Sequence, residues 1–181
     1  MARHPVDKTY PRPVDTQTLR GIQAPLKQQY RDQPDSAVIT LLAEGSLDGA
    51  DVTCSVQTGR ALVEAGLHPA SGGDGAAACS GDMLLQALVA CAGVTLRAVA
   101  TSMGLDVSGG TVHAEGDLDF RGTLGVDKQT LVGFSDIRLR FDLAGADLDD
   151  DQRAALLELT ERYCVVLQTL RTPPTTTATL A

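Results

Sequence analysis

Residues Cys79 to Gly104 read CSGDMLLQALVACAGVTLRAVATSMG, an apolar run broken only by Asp82, Gln86 and Arg97 among strongly polar side chains. Leu84, Leu85, Leu88, Val89, Val94, Leu96 and Val99, with alanines between them, cover nearly every side of a helix, the pattern of a helix buried in a core or between subunits. Ser80 or Asp82 is expected to cap its start and Gly104 to end it. Cys91 sits near the middle, and the rest of the chain is read by asking what surrounds that thiol.

The chain has 181 residues, 43% of them hydrophobic and 21% charged, a composition that suits one globular domain with an arm. Its formal charge of −8 lacks the basic footprint that phosphate backbones and anionic membranes require. With no Trp and few other aromatics it also lacks stacking platforms for bases or sugars, so a small uncharged ligand fits better. The uninterrupted apolar stretch is shorter than the ~20 residues a membrane span needs, and the opening Met-Ala-Arg-His-Pro-Val-Asp-Lys has no apolar run behind it. The expectation is a cytoplasmic protein whose four cysteines are free, catalytic or redox-active instead of forming a permanent disulfide framework.

Residues 1–36 carry Pro5, Pro11, Pro13, Pro25 and Pro34 and one short helical stripe, Leu19, Ile22, Leu26 and Tyr30, as expected of an arm with short helical pieces docked on another surface. From residue 37 the period changes. Val38–Leu42 and Ala50–Val56 read as strands joined by a turn at Asp48-Gly49, with Cys54 a small buried hydrophobe on one face and Arg60–Glu64 a further short strand. His68 to Gly75 is a loop without the Gly-Lys-Ser/Thr ending of a phosphate cradle. After the long helix, Val112 to Arg121 and Asp136 to Leu143 alternate strictly, which pairs them with one face buried and arginines opposite carboxylates on the wet face. Glu115, Asp117 and Asp119 are therefore structural.

Asp149-x-x-Gln152 is a capping box opening a second helix whose stripe, Leu156, Leu159 and Tyr163, leads to Cys164. Val165 to Leu170 has helical potential, Pro173-Pro174 stops it, and Thr175 to Leu180 reads as a closing strand. Strands and helices segregate, so the fold class is α+β, one buried helix against a curved antiparallel sheet. His4, His68 and His113 stand apart with no Cys-x-x-Cys or His-x-x-x-His, and no Gly-x-Ser-x-Gly elbow exists, which disfavours a metal site and a serine hydrolase.

Taken alone, Cys91 is an inert core thiol, because burial raises a thiol's pKa and keeps the thiolate scarce. Cys164 differs, since it stands where one helical segment hands over to another and a thiol at a helix N-terminus is acidified by unpaired backbone N–H groups. Two thiols in two apolar helices can meet and form a reversible disulfide.

The chain from about residue 37 to 181 resembles the OsmC/Ohr family, the osmotically inducible and organic hydroperoxide resistance proteins. The likeness rests on Ser80-Gly81-Asp82-Met83-Leu84-Leu85, Ala90-Cys91, Arg121-Gly122-Thr123-Leu124-Gly125 before Gly133-Phe134, and Glu161-Arg162-Tyr163-Cys164, all in the family's order. Residues 1–36 are similar to the extension some branches carry. The resemblance implies an OsmC-like fold, an intertwined homodimer with a strongly curved sheet around a central helix, and a thiol-dependent peroxidase that reduces organic hydroperoxides. In that scheme Cys91 is the peroxidatic nucleophile, Cys164 the resolving thiol, and Asp82 the carboxylate at a position the family gives to glutamate. No cofactor is implied beyond an external dithiol, a lipoyl group in one branch, and Leu88 and Val94 suit a hydrophobic peroxide tail.

Three departures accompany the match. Where well-known branches place an arginine beside the thiolate, near the first hairpin, this chain has Glu44-Gly45-Ser46, and Arg60 is the nearest candidate in sequence. Val165 replaces the proline that follows the second cysteine in many relatives, and Cys79 is an extra thiol. The alternative reading is a non-catalytic relative, a redox-sensing or small-ligand-binding dimer that has lost the activating arginine.

Overall fold

The computed structural model describes residues 61–107, 109–125, 127–144 and 146–180, with shorter stretches at 15–17, 20–21, 23–24, 28, 32–33, 45–46 and 53–58. In chain order these form β1 (Gly45–Ser46), β2 (Thr53–Thr58), β3 (Ala61–Gly66), a 3-10 turn at Pro69–Ser71, β4 (Ala78–Cys79), α1 (Ser80–Met103), β5 (Gly109–Leu118), α2 (Phe120–Thr123), β6 (Phe134–Ala144), α3 (Asp150–Tyr163) and α4 (Val165–Arg171). The segregation expected of an α+β chain is present. Expected features at Val38–Leu42, at Asp48-Gly49 and at Arg60 lie outside the described residues, as does the side chain of Cys54.

Among the described residues the strands fall into two sheets. In the first, β1, β2 and β3 are antiparallel neighbours, and β4 adds in parallel with Ala65 opposite Ala78 and Gly66 opposite Cys79. That parallel contact hands the chain straight into α1. The second sheet is the long β5–β6 hairpin, in register from Gly109 opposite Ala144 and irregular at Asp117/Leu118. Its outer face is as the alternation predicts: Arg138 reaches Glu115 at 3.5 Å, Asp117 at 2.6 Å and Asp136 at 2.7 Å, and His113 and Arg140 meet Asp142 at 3.2 and 2.9 Å. The Arg138 guanidinium holds the Asp117 carboxyl below the usual carboxylate range. On the inner face the Phe134 ring lies where a side chain at residue 116 would project, 2.5 Å from an ideal Cβ, so only glycine fits at Gly116.

The strand pattern ends sooner than its alternation predicts. Phe120 and Arg121 turn into α2, which Asp119 caps by accepting from the Arg121 amide at 2.9 Å, and Phe120 stacks on His68 with centroids 5.1 Å apart. A side-chain cap outcompetes a ladder position once the partner strand has ended. Thr175 to Leu180 forms no strand: despite its β-branched residues it is exposed and has no ladder partner among the described residues.

Helix α1 starts at Ser80, but neither Ser80 nor Asp82 caps it; Cys79 occupies the cap position without a side-chain bond. The strand β4 already fixes the entry, which removes the need for one. Gly104 ends the helix at φ 72°, its amide donating to the carbonyls of Ala100 and Thr101. The arm touches this same end: Thr16 Oγ1 donates to Thr101 O at 2.7 Å and Arg20 Nη2 to Ser102 O at 3.0 Å. By length and composition α1 suffices to cross a membrane, but its buried stripe packs within the domain.

That stripe is Leu88, Ala92, Leu96 and Ala100, one residue per turn. Leu96 and Ala100 pack with Leu156 of α3 and with Leu148, while Leu88 and Ala92 pack with Cys164. As α3 ascends α1 descends, so the helices run antiparallel and the α3–α4 elbow comes to rest beside the middle of α1. Beside that stripe Val99, Met103 and Cys91 also pack inward, but Val94 is 72% and Leu84 38% exposed.

Candidate functional site

Cys164 stands at the elbow. It closes α3, whose start carries the expected capping box between Asp149 and Gln152, and it is the residue before α4. Its backbone is fully engaged, the amide donating to Thr160 O at 3.0 Å and the carbonyl accepting from Gln168 N at 2.9 Å. The Gln168 side chain donates to Glu161 O at 2.7 Å, and Arg171 forks onto the Glu161 carboxylate at 2.9 and 3.1 Å. These bonds pin the angle between the two helices and so aim the Cys164 side chain, which is fully buried, into the core.

The aim brings it to Cys91. The two thiols meet in one core cluster and are free cysteines. Cys91 is half-buried, and desolvation acts to raise its pKa. That effect is outweighed by the Val166 amide, the Cys164 thiol, the Thr95 hydroxyl and the Val165 amide, which together hold Cys91 below the ordinary thiol range. Cys164 moves the other way: burial raises it foremost, against help from the Leu167 amide, and the neighbouring Cys91 raises it further. The expectation of an acidified Cys164 at a helix start is thus reversed. The amides of the first turn of α4 act as predicted, Leu167 and Val166 lowering Cys164 and Val166 and Val165 lowering Cys91, but at Cys164 burial and the neighbouring Cys91 outweigh them. Chemically, the pair holds one thiol biased toward thiolate against a second biased toward thiol.

The other predicted residues are not gathered here. Asp82 is exposed in the first turn of α1, nine residues or about 13–14 Å of helix axis before Cys91. Cys79 lies a further turn away, half-buried near Gly81 and Phe134. Arg60 is outside the described residues. The groups acting most strongly on Cys91 are all neutral donors. Leu88 packs beneath the two thiols in the core, whereas Val94 points to the surface. An open groove of about 610 Å³ runs beside the elbow between Leu84, Phe134, Ile137, Leu139, Leu167 and Leu170, with Arg171 at its rim. Among the described residues no three His, Cys, Asp or Glu side chains come together to hold a metal ion.

Sequence reasoning missed Thr95 and the two amides. Thr95 had a signal, since a residue four positions after Cys91 on one helix must lie beside it. Backbone donors from another element leave none.

The fold has solved relatives of low identity. An OsmC-like protein from Mycoplasma pneumoniae superposes with a TM-score of 0.62 at 12% identity over 75% of this chain and 89% of that one. An organic hydroperoxide resistance protein from Elizabethkingia anophelis gives 0.58 at 17% over 75% and 91%. An organic hydroperoxide resistance protein from Legionella pneumophila, also described as a predicted redox protein, gives 0.57 at 18% over 75% and 91%. At such identities the likeness concerns the fold. No curated protein is similar enough to match. Residues 72–179, well over half the chain and containing both helices of the thiol pair, match the sequence profile of the OsmC-like proteins, and the chain belongs to that family, the OsmC/Ohr group of hydroperoxide resistance and redox proteins.

Proposed function

We propose that the protein is a thiol-dependent peroxidase acting on organic hydroperoxides. The observation that supports it is the contact between Cys91 and Cys164, with Cys91 biased toward thiolate and Cys164 toward thiol. The Cys91 sulfur attacks the outer peroxide oxygen; a sulfur–oxygen bond forms as the oxygen–oxygen bond breaks, and the departing alkoxide takes a proton from water to become the alcohol. Cys91 is then a sulfenic acid. The Cys164 sulfur displaces its hydroxyl, a disulfide forms, and the hydroxyl leaves as water with the Cys164 proton. An external dithiol, such as a lipoyl group, returns both thiols by exchange and is itself oxidised.

In this reading the substrate is small and hydrophobic, its tail lying against the apolar wall of the groove beside the elbow. The working unit is a cytoplasmic homodimer with intertwined, strongly curved sheets, in which the exposed side of α1 is covered by the second copy; neither nucleic acid nor membrane is a partner. The uncovered Val94 and Leu84 support this, because such large apolar side chains on a core helix cost free energy when left in water. Asp82 and Arg60 keep their proposed places as a carboxylate–arginine pair completing the site.

Purified protein is expected to consume cumene hydroperoxide with a dithiol reductant, and Cys91→Ser to abolish it; equal turnover by the variant would sink the proposal. The neutral donor set around Cys91 favours one other reading, a redox sensor that forms the Cys91–Cys164 disulfide without sustained turnover. Mass spectrometry after a single peroxide pulse, set against steady-state consumption, separates the two.

A further inference from the structure

Away from the elbow, α1, α3 and β6 enclose a second hollow of about 320 Å³, lined by Leu96, Leu156, Leu157, Phe141 and Leu143. Its floor belongs to the core cluster around Leu96 and Leu156, not to the one that holds the thiols. Leu139 is the wall it shares with the groove beside the elbow. Leu96 stands two residues, or about 200° of helix rotation, from Val94, so the hollow lies on a different side of α1 from the one given to a second copy.

Two arginines border the hollow, and they differ in how their charge is met. Arg140 is paired with Asp142 at 2.9 Å. Arg121, Arg138 and Arg171 likewise meet carboxylates, but Arg153 meets none among the described residues. Main-chain oxygens hold its guanidinium instead, Nε donating to Leu148 O at 3.0 Å and Nη2 to Ala146 O at 3.3 Å, which leaves Nη1 without a partner among the described residues. Those bonds fix the fork before any ligand arrives and cancel none of its charge. In a chain of formal charge −8, a pinned, uncompensated cation beside an apolar hollow, with Leu157 46% exposed at its edge, is complementary to an anion that carries an apolar chain.

We propose that this hollow binds an amphipathic carboxylate, an unbranched fatty acid of about eight to ten carbons, its chain against the leucines and Phe141 and its carboxylate on Arg153. The volume stands at the lower end for small-molecule sites, which sets the short chain. Nothing in this depends on the peroxidase reading: binding is reversible, no bond is made or broken, and the thiols take no part.

The test is isothermal titration calorimetry of the full-length reduced protein with decanoate, for which one saturable site per chain is expected. Arg153→Met keeps the apolar stem and removes the charge, and should weaken binding about tenfold or more, the scale of a hydrogen-bonded charge pair. 1-Decanol, with the same chain and no charge, should bind the wild type more weakly than decanoate and be indifferent to Arg153→Met. Leu157→Glu, at an exposed position, should also weaken decanoate binding, and it keeps the test decisive should Arg153→Met fold poorly. Cys91→Ser should bind as the wild type does. Absence of saturable binding to the wild type overturns the proposal, as do equal affinities for decanoate and 1-decanol or unchanged decanoate affinity in a folded Arg153→Met or Leu157→Glu variant. Binding lost in Arg171→Met or Cys91→Ser but kept in Arg153→Met puts the ligand in the elbow groove and overturns it too. So does a Leu157→Glu protein that elutes as a smaller species than the wild type, since a second copy would then fill the hollow.

Discussion

At the scale of single residues, two buried groups on the α3 stripe pull in opposite directions. Thr160 is 1% exposed and its hydroxyl has no hydrogen-bond partner among the described residues. An unsatisfied buried donor is costly, so Thr160→Val, which conserves volume, is expected to stabilise the fold by about 1 kcal/mol; a lower melting temperature for the variant would show that the hydroxyl has a role the packing conceals. Cys164, one turn later, is completely buried but its thiol lowers the Cys91 pKa. Cys164→Ala removes that group, and the pH midpoint of Cys91 alkylation by iodoacetamide should move higher, whereas Cys164→Ser, with a hydroxyl in place of the thiol, should move it less. Because the folded Cys91 lies below the ordinary thiol range, its reactivity should persist to pH values at which an unfolded chain is already protonated and unreactive. It should then fade as pH falls through the folded value.

Between elements, the decisive feature is the elbow from α3 to α4. The residue after the second cysteine is Val165, whose amide lowers the Cys91 pKa. Val165 is the first residue of α4, where proline is sterically welcome, and Cys164 before it is extended at φ −73° and ψ 105°, as a residue preceding proline prefers. Val165→Pro should therefore change stability little while deleting one N–H. The expected result is an unchanged melting curve and a Cys91 midpoint at higher pH; an unmoved midpoint would mean that Val166 and the side-chain donors suffice. The β5–β6 hairpin makes a second case. Arg138 separates Glu115, Asp117 and Asp136, so Arg138→Ala leaves three carboxylates facing one another. Melting temperature should drop at low ionic strength, with the deficit shrinking in high salt because these groups are solvent-exposed and screened.

For the whole molecule, α1 poses the question of assembly. Its core-facing stripe is satisfied within one chain, and large apolar side chains, Val94 and Leu84, remain exposed on its other sides. Val94→Glu places a charge on that uncovered side, well away from the buried stripe. If a second copy covers it, size-exclusion chromatography should show the variant shifted toward monomer with its circular dichroism retained; an unchanged elution volume would count against a dimer built on α1.

How much of this was legible beforehand follows from what kind of information a sequence carries. Local periodicity and caps were readable: the end of α1 at Gly104, the alternating hairpin with arginine facing carboxylate and the Asp149–Gln152 box each depend on residues near one another in the chain, whereas the stripe expected over Leu156, Leu159 and Tyr163 buries Leu156 and Thr160 instead and leaves Tyr163 58% exposed. Elements that need a distant partner were not, which is why Thr175 to Leu180 looked like a strand on propensity alone and why Phe120 and Arg121 seemed to continue one. The site divides in the same way. The sequence by itself singled out Cys91 and Cys164 and the helices that bear them. Only the tertiary structure decided that they touch and that Cys91, not Cys164, is the acidified thiol, because the amides responsible belong to the backbone of an element some seventy residues away. Hydrogen bonds from main-chain N–H groups depend on where chains cross, and every residue but proline offers one.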